Sequence, residues 1–211
     1  MKEAIQFTAL GEISHSGKTT QSAGEDRFKV LKDSIRDYEE IKDIIKTGIE
    51  DEEKILWQKK LIMKKLNATN TEWNDYKWQL RNRFTQVEDL AEIIQLTPEE
   101  REAIAVVGKT YRYAISPYYM SLIDPDNPDC PIRRQAVPCS AELDDRGELD
   151  PMDEGGWTPE ELITRRYPDR LIIKVTNLCG MFCRFCQRRR LIGEHDTHAP
   201  KNRLIKAINY V

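Results

Sequence analysis

The chain has 211 residues, 39% of them hydrophobic, with 33 Lys+Arg against 36 Asp+Glu for a formal net charge of -3. This balance excludes a global field drawing the chain to nucleic acid or an anionic membrane, and no apolar run approaches the roughly 18 residues of a membrane span. The length allows one ordinary core, or a helical region plus part of a second domain.

Residues 1–25 are rich in Gly, Ser and Thr, lack periodicity and lack the charged-then-apolar layout of a secretory signal. They are expected to be disordered, and the location is expected to be cytoplasmic. From Asp26 to Thr47 apolar residues recur at helical spacing (Val30, Leu31, Ile35, Tyr38, Ile41, Ile44), and Gly48 marks a stop. Residues 50–66 repeat the pattern through Ile55, Leu56, Ile62 and Leu66. Thr71 is expected to cap a helix over 72–84, and a short helix is expected over 86–95. Thr97-Pro98-Glu99-Glu100 reads as a capping box with Pro at the first helical position, opening a helix to about Tyr113. A helical region thus spans 26–115.

The texture changes at Ser116. Pro117, Pro125, Pro128, Pro131 and Pro138 interrupt regular structure, with a helical turn expected around Ile132–Ala136, and 140–160 is acidic. The stretch 116–169 reads as an irregular connecting segment. Leu171 to Thr176 is the best strand candidate, a β-branched run of the kind covered on both faces. Residues 201–211 return to helical spacing. One strand, a loop and one helix do not make a sheet, so 170–211 reads as the start of a larger domain.

Three of the five cysteines, Cys179, Cys183 and Cys186, lie within eight residues, while Cys130 and Cys139 sit far upstream. That clustering favours a metal site in a reducing compartment over a disulfide framework. The spacing C-x3-C-x2-C can hold three irons of a cubane cluster and leave the fourth open for a ligand. Gly180 is read as letting the backbone curl around such a cluster. Three alternatives stand beside it: zinc bound by the thiolates with His195 or His198, a fourth thiolate from Cys130 or Cys139, and a non-catalytic zinc or RNA-binding module using the arginine run Arg188-Arg189-Arg190.

C-x3-C-x2-C directly after a strand resembles the radical S-adenosylmethionine (SAM) signature. Longer stretches are similar to the lysine 2,3-aminomutase family: Trp73-Asn74-Asp75-Tyr76-Lys77-Trp78-Gln79-Leu80-Arg81-Asn82-Arg83, Ile115-Ser116-Pro117-Tyr118-Tyr119, Leu122-Ile123-Asp124-Pro125, Pro131-Ile132-Arg133-Arg134-Gln135-Ala136-Val137-Pro138 and Arg166-Tyr167-Pro168-Asp169-Arg170. Asp150-Pro151-Met152 and Cys186-Gln187-Arg188-Arg189-Arg190 look closest to the glutamate branch, with lysine the alternative substrate. The resemblance implies an α/β fold, in which a helical N-terminal region precedes the first βα unit of a partial (β/α)6 barrel, truncated here. It implies an isomerase that moves an amino group from C2 to C3 of an amino acid with a [4Fe-4S] cluster, SAM and pyridoxal 5′-phosphate (PLP), fed by an electron donor and assembled as a homo-oligomer when full length, without nucleic acid or membrane partners. By the same resemblance Cys179, Cys183 and Cys186 ligate the cluster, Arg166, Tyr167 and Arg170 approach the PLP phosphate, Arg188 pairs with the substrate carboxylate, and Phe185 lies against SAM. The family's PLP lysine falls beyond Val211, and Lys201 and Lys206 do not occupy its place, so no catalytic residue is expected within these 211 residues and the chain alone is expected to be inactive.

Overall fold

The computed structural model describes residues 20–45, 48–144 and 146–211, and the chain divides into two compact units, Met1–Asp51 and Glu52–Val211. In the first unit, helix α1 (Thr20–Ser34) is followed by α2 (Arg36–Ile41). Helix therefore begins at Thr20, inside the segment expected to be disordered; residues 1–19 lie outside the described residues. The single helix expected over 26–47 breaks at Ile35 (φ -108°, ψ 6°). There Ser34 donates its hydroxyl to the Leu31 carbonyl at 2.7 Å, a local bond that competes with helix continuation. The apolar residues that carried the periodicity, Val30, Leu31, Ile35, Tyr38 and Ile41, are all exposed.

The second unit opens with α3 (Glu52–Lys65), which carries acids in its first turn and lysines in its last, in the sense that complements the helix dipole. It ends at Asn67, whose φ of 49° is the left-handed turn that closes helices. The helix expected over 72–84 is two short ones, α4 (Asn70–Trp73) and α5 (Tyr76–Arg81). Asp75 is the reason: its carboxylate accepts from the Lys77 amide at 3.0 Å and caps a new helix instead of continuing the old one. Thr69, not Thr71, caps α4, in a reciprocal box with Glu72. Helix α6 (Val87–Ala91) is shorter than expected, and α7 (Pro98–Thr110) starts at the Thr97–Glu100 capping box as read from the sequence. Helix α8 (Pro117–Ser121) was not anticipated, although Ser116-Pro117 repeats the signal of Thr97-Pro98. Helix α9 (Pro131–Ala136) matches the expected turn.

The strand expected over Leu171–Thr176 is shorter and differently partnered. Strand β1 (Ile163–Thr164) pairs antiparallel with β2 (Ile172–Ile173), in register Ile163 to Ile173 and Thr164 to Ile172. Ile172 and Val175 are about half exposed, so the run is not covered on both faces among the described residues. The last helix is α10 (Lys201–Tyr210).

The core gathers Ile62 of α3, Trp73, Trp78, Leu90, Ile94, Ile104, Met120 and Ile123 around Phe84, Ile115 and Met181. These last three form a ladder. Phe84 and Ile115 exchange both backbone bonds (2.8 and 3.0 Å), and Ile115 bridges in turn to Met181. Met181 lies between Cys179 and Cys183, so the cysteine loop is a wall of the helical core.

Candidate functional site

The cysteine loop is held by backbone bonds to distant segments. The amides of Ser116 and Arg184 donate to Gly180 and Gln135 (both 2.8 Å), and that of Phe182 to Ala114 (3.3 Å). Arg83 Nη1 donates to the Cys179 carbonyl at 2.9 Å, and its Nη2 pairs with Asp196. Arg112 grips the other oxygen of Asp196 at 2.6 Å, and both guanidiniums stack on the Phe182 ring (5.6 and 4.7 Å). Asn177 uses its amide fully on the residues flanking Asp196 and beyond: Nδ2 donates to the Ile192 and His195 carbonyls (2.7 and 2.8 Å), and Oδ1 accepts from the Thr197 amide. Gly180 is not in the left-handed region, and an added Cβ would make only ordinary contacts with Tyr119 and Ser116. The curvature comes from these bonds and not from the glycine.

Cys179, Cys183 and Cys186 line one cavity of about 550 Å³, together with Lys174, Arg188 and Arg203. All five cysteines are free thiols. Cys179 Sγ lies 3.0 Å and Cys183 Sγ 3.7 Å from the same Met181 carbonyl oxygen. Burial raises the Cys183 thiol above its usual range, and the charges of Cys179 and Cys186 add to that. Among the described residues no three His, Cys, Asp or Glu side chains stand in metal-holding geometry. What fits a soft metal cluster is the donor set itself: three unpaired thiols on one loop facing one cavity. His198 also lines this cavity, whereas Cys130 is buried beside the Asp124 amide and neither it nor Cys139 reaches the lining.

The arginine run is half-buried and paired with carboxylates of the fold. Arg189 pairs with Glu142 and stacks on Tyr111 at 3.9 Å; Arg190 pairs with Asp150 (3.0 Å) and Glu154 (3.2 Å). Arg188 Nη2 pairs with Glu154 Oε1 at 2.6 Å, while its Nε is buried with no partner among the described residues. Each arginine of the run thus has a carboxylate partner within the fold.

The other expected site residues lie elsewhere. Arg166, Tyr167 and Arg170 are exposed on the turn between β1 and β2 and do not line the cavity. Arg166 lies over the Trp157 ring at 5.9 Å; Arg170 stacks on Tyr167 at 4.9 Å and pairs with Asp169. Phe185 is 78% exposed and outside the cavity wall. Sequence reading missed Lys174, Glu154, Asn177, Arg83, Arg112 and Asp196. Of these, Asn177 adjoins the cysteine motif and Arg83 closes the stretch that begins at Trp73; neither was assigned a role from the sequence.

Burial raises the Asp196 carboxyl, and the hydrogen bonds from Arg83 and Arg112 outweigh that, leaving it below its ordinary value. A depressed carboxylate contributes stability that is present above its unfolded pKa and lost as pH falls through the folded one. Asp196→Asn is therefore expected to be less stable than the parent chain at pH 7, with the gap constant down to about pH 4 and closing below it. Urea unfolding across that range checks this; a gap that persists unchanged into acid would reject the clamp.

No family model matches the chain. It is 50% identical over 187 residues to the glutamate 2,3-aminomutase of Clostridioides difficile (strain 630), covering 88% of this chain and 44% of that protein. It is 44% identical over 147 residues to the L-lysine 2,3-aminomutase of Clostridium subterminale (69% of this chain, 35% of the relative). With that of Bacillus subtilis (strain 168) the identity is 45% over 141 residues (66% and 30%). The chain thus spans less than half the length of these relatives.

Proposed function

The chain belongs to the lysine 2,3-aminomutase family across the stretch it shares with these relatives, and from that premise we propose that it serves an amino-acid 2,3-aminomutase of the radical SAM type, with glutamate as substrate. One observation carries the reading: three free thiols on a braced loop share a cavity with Arg188. The higher identity to the glutamate enzyme than to the lysine enzymes supports the choice of substrate.

In this reading Cys179, Cys183 and Cys186 would hold a [4Fe-4S] cluster, which with SAM supplies one-electron chemistry when bound. The chain's own residues bind and orient. Arg188, already aimed by Glu154, offers its remaining donors to a carboxylate. Arg166 and Arg170 offer exposed guanidiniums on one turn, with Tyr167 between them, suited to the phosphate of PLP. Asn177 and the Arg83–Asp196–Arg112 clamp hold the thiol loop in position. The half-exposed apolar side chains of Ile172 and Val175 support the further reading that β2 opens a larger barrel.

Anaerobic reconstitution of the purified chain with iron and sulfide tests the proposal. About four irons per chain are expected, with a spectral change on adding SAM, and the Cys179→Ala, Cys183→Ala, Cys186→Ala triple variant should retain none. One zinc and no iron would overturn it.

A further inference from the structure

The cavity beside the cysteine loop contains a half-buried ammonium that its surroundings leave unmatched. Lys174 lies on the cavity wall next to Arg188. It is within electrostatic reach of Glu154, Arg190, Arg188 and Asp150. Those two carboxylates are taken: Glu154 by Arg188 (2.6 Å) and Arg190 (3.2 Å), Asp150 by Arg190 (3.0 Å) and the amides of Glu154 and Gly155 (3.0 and 2.9 Å). Among the described residues Lys174 makes no ion pair or side-chain hydrogen bond. Three cations thus face two carboxylates, an excess of one positive charge, and the unmatched one opens on the cavity. Across the cavity Arg203 and Glu161 neutralise each other. A half-buried cation without a counter-charge is costly in free energy, and an anion entering the cavity removes that cost. Burial also holds the Lys174 ammonium below the ordinary lysine range, the direction expected of an unmatched cation.

We propose that Lys174 is an anion-binding residue of this cavity, taking the second acidic group of a ligand whose first is held by Arg188. The ligand class is doubly anionic: an amino acid with a side-chain carboxylate. A side chain ending in an ammonium is repelled there, so Lys174 acts as a specificity determinant against basic amino acids. The inference rests on the reading of Arg188 as a carboxylate site.

NMR-monitored titration of the purified chain, before and after reconstitution, tests it with L-glutamate, L-norvaline, L-lysine, PLP and pyridoxal. L-Glutamate is expected to bind about tenfold tighter than L-norvaline, a difference worth one charge-assisted contact. Lys174→Met, which keeps the apolar stem, should abolish the preference, and Lys174→Arg should restore most of it. If instead the preference for PLP over pyridoxal vanishes in Lys174→Met while that for glutamate persists, Lys174 serves a phosphate and not a side-chain carboxylate, and the proposal is overturned. Parent chain showing neither preference, or a Lys174→Met variant folded by circular dichroism that keeps both, overturns the proposal. Failure of the aminomutase reading looks different: a chain that binds zinc in place of iron yet still loses these preferences in Lys174→Met.

Discussion

Glu142→Ala is expected to cost the Glu52–Val211 unit about 3–5 kcal/mol, the range for breaking one side of a buried ion pair. The Arg184 side chain is 4% exposed and that of Glu142 8%. Arg184 sits between Cys183 and Cys186, and three of its contacts go to Glu142: Nε at 3.0 and 3.1 Å and Nη2 at 2.7 Å. Without the carboxylate only the Arg112 and Tyr111 carbonyls remain to it, and Arg189 loses its partner as well. Burial alone raises the Glu142 carboxyl, and the Arg184 hydrogen bonds more than reverse this. The pair is therefore ionised and matched, and its weight appears when one half is removed. At about 2–4 °C per kcal/mol for a unit of this size, the midpoint should fall by roughly 10 °C. Calorimetry checks it, with the double change Glu142→Leu, Arg184→Met as control: replacing both charges by apolar groups is expected to recover most of the loss. A single-variant loss below about 1 kcal/mol would show that the pair is solvated and does not brace the loop.

The second large effect is expected from Ile115→Ala, about 2–5 kcal/mol. Ile115 is fully buried, and its backbone is the middle rung between Phe84 and Met181. Its side chain belongs to the apolar cluster that includes Met181, with Cys183 packed against it. Truncation leaves a cavity where the helical core meets the thiol loop. Loss of stability should therefore come with faster amide exchange at Phe182 and Arg184, whose N–H groups are bonded across that junction to Ala114 and Gln135. Destabilisation without faster exchange there would mean that loop and core are not coupled through Ile115.

Local signals were legible wherever chemistry is confined to four or five residues. The Thr97–Glu100 box shows this, because both partners of each bond lie within one turn. The same kind of signal was present at Asp75, where the apolar periodicity around it outvoted it, and at Ser116, where the run of prolines that follows was read as breaking regular structure, so one helix was expected where α4 and α5 stand and none where α8 stands. The strand Leu171–Thr176 failed for a different reason. Strand length depends on partners, and among the described residues the β1 edge pairs with only two residues of it.

What the amino-acid sequence determined by itself is the donor set and the local caps: three thiols at C-x3-C-x2-C, and the helix starts whose bonds close within a turn. What only the tertiary structure decided is the electrostatics of the site. Arg83 lies 113 residues from Asp196, Arg184 42 from Glu142 and Arg188 34 from Glu154. No periodicity records such pairings, because the energy of a buried charge depends on which counter-charge the fold brings to it. That is why the arginine run reads as a basic tract in the sequence and stands as internal bracing in the fold, while Lys174, silent in the sequence, emerges as the cation left unmatched.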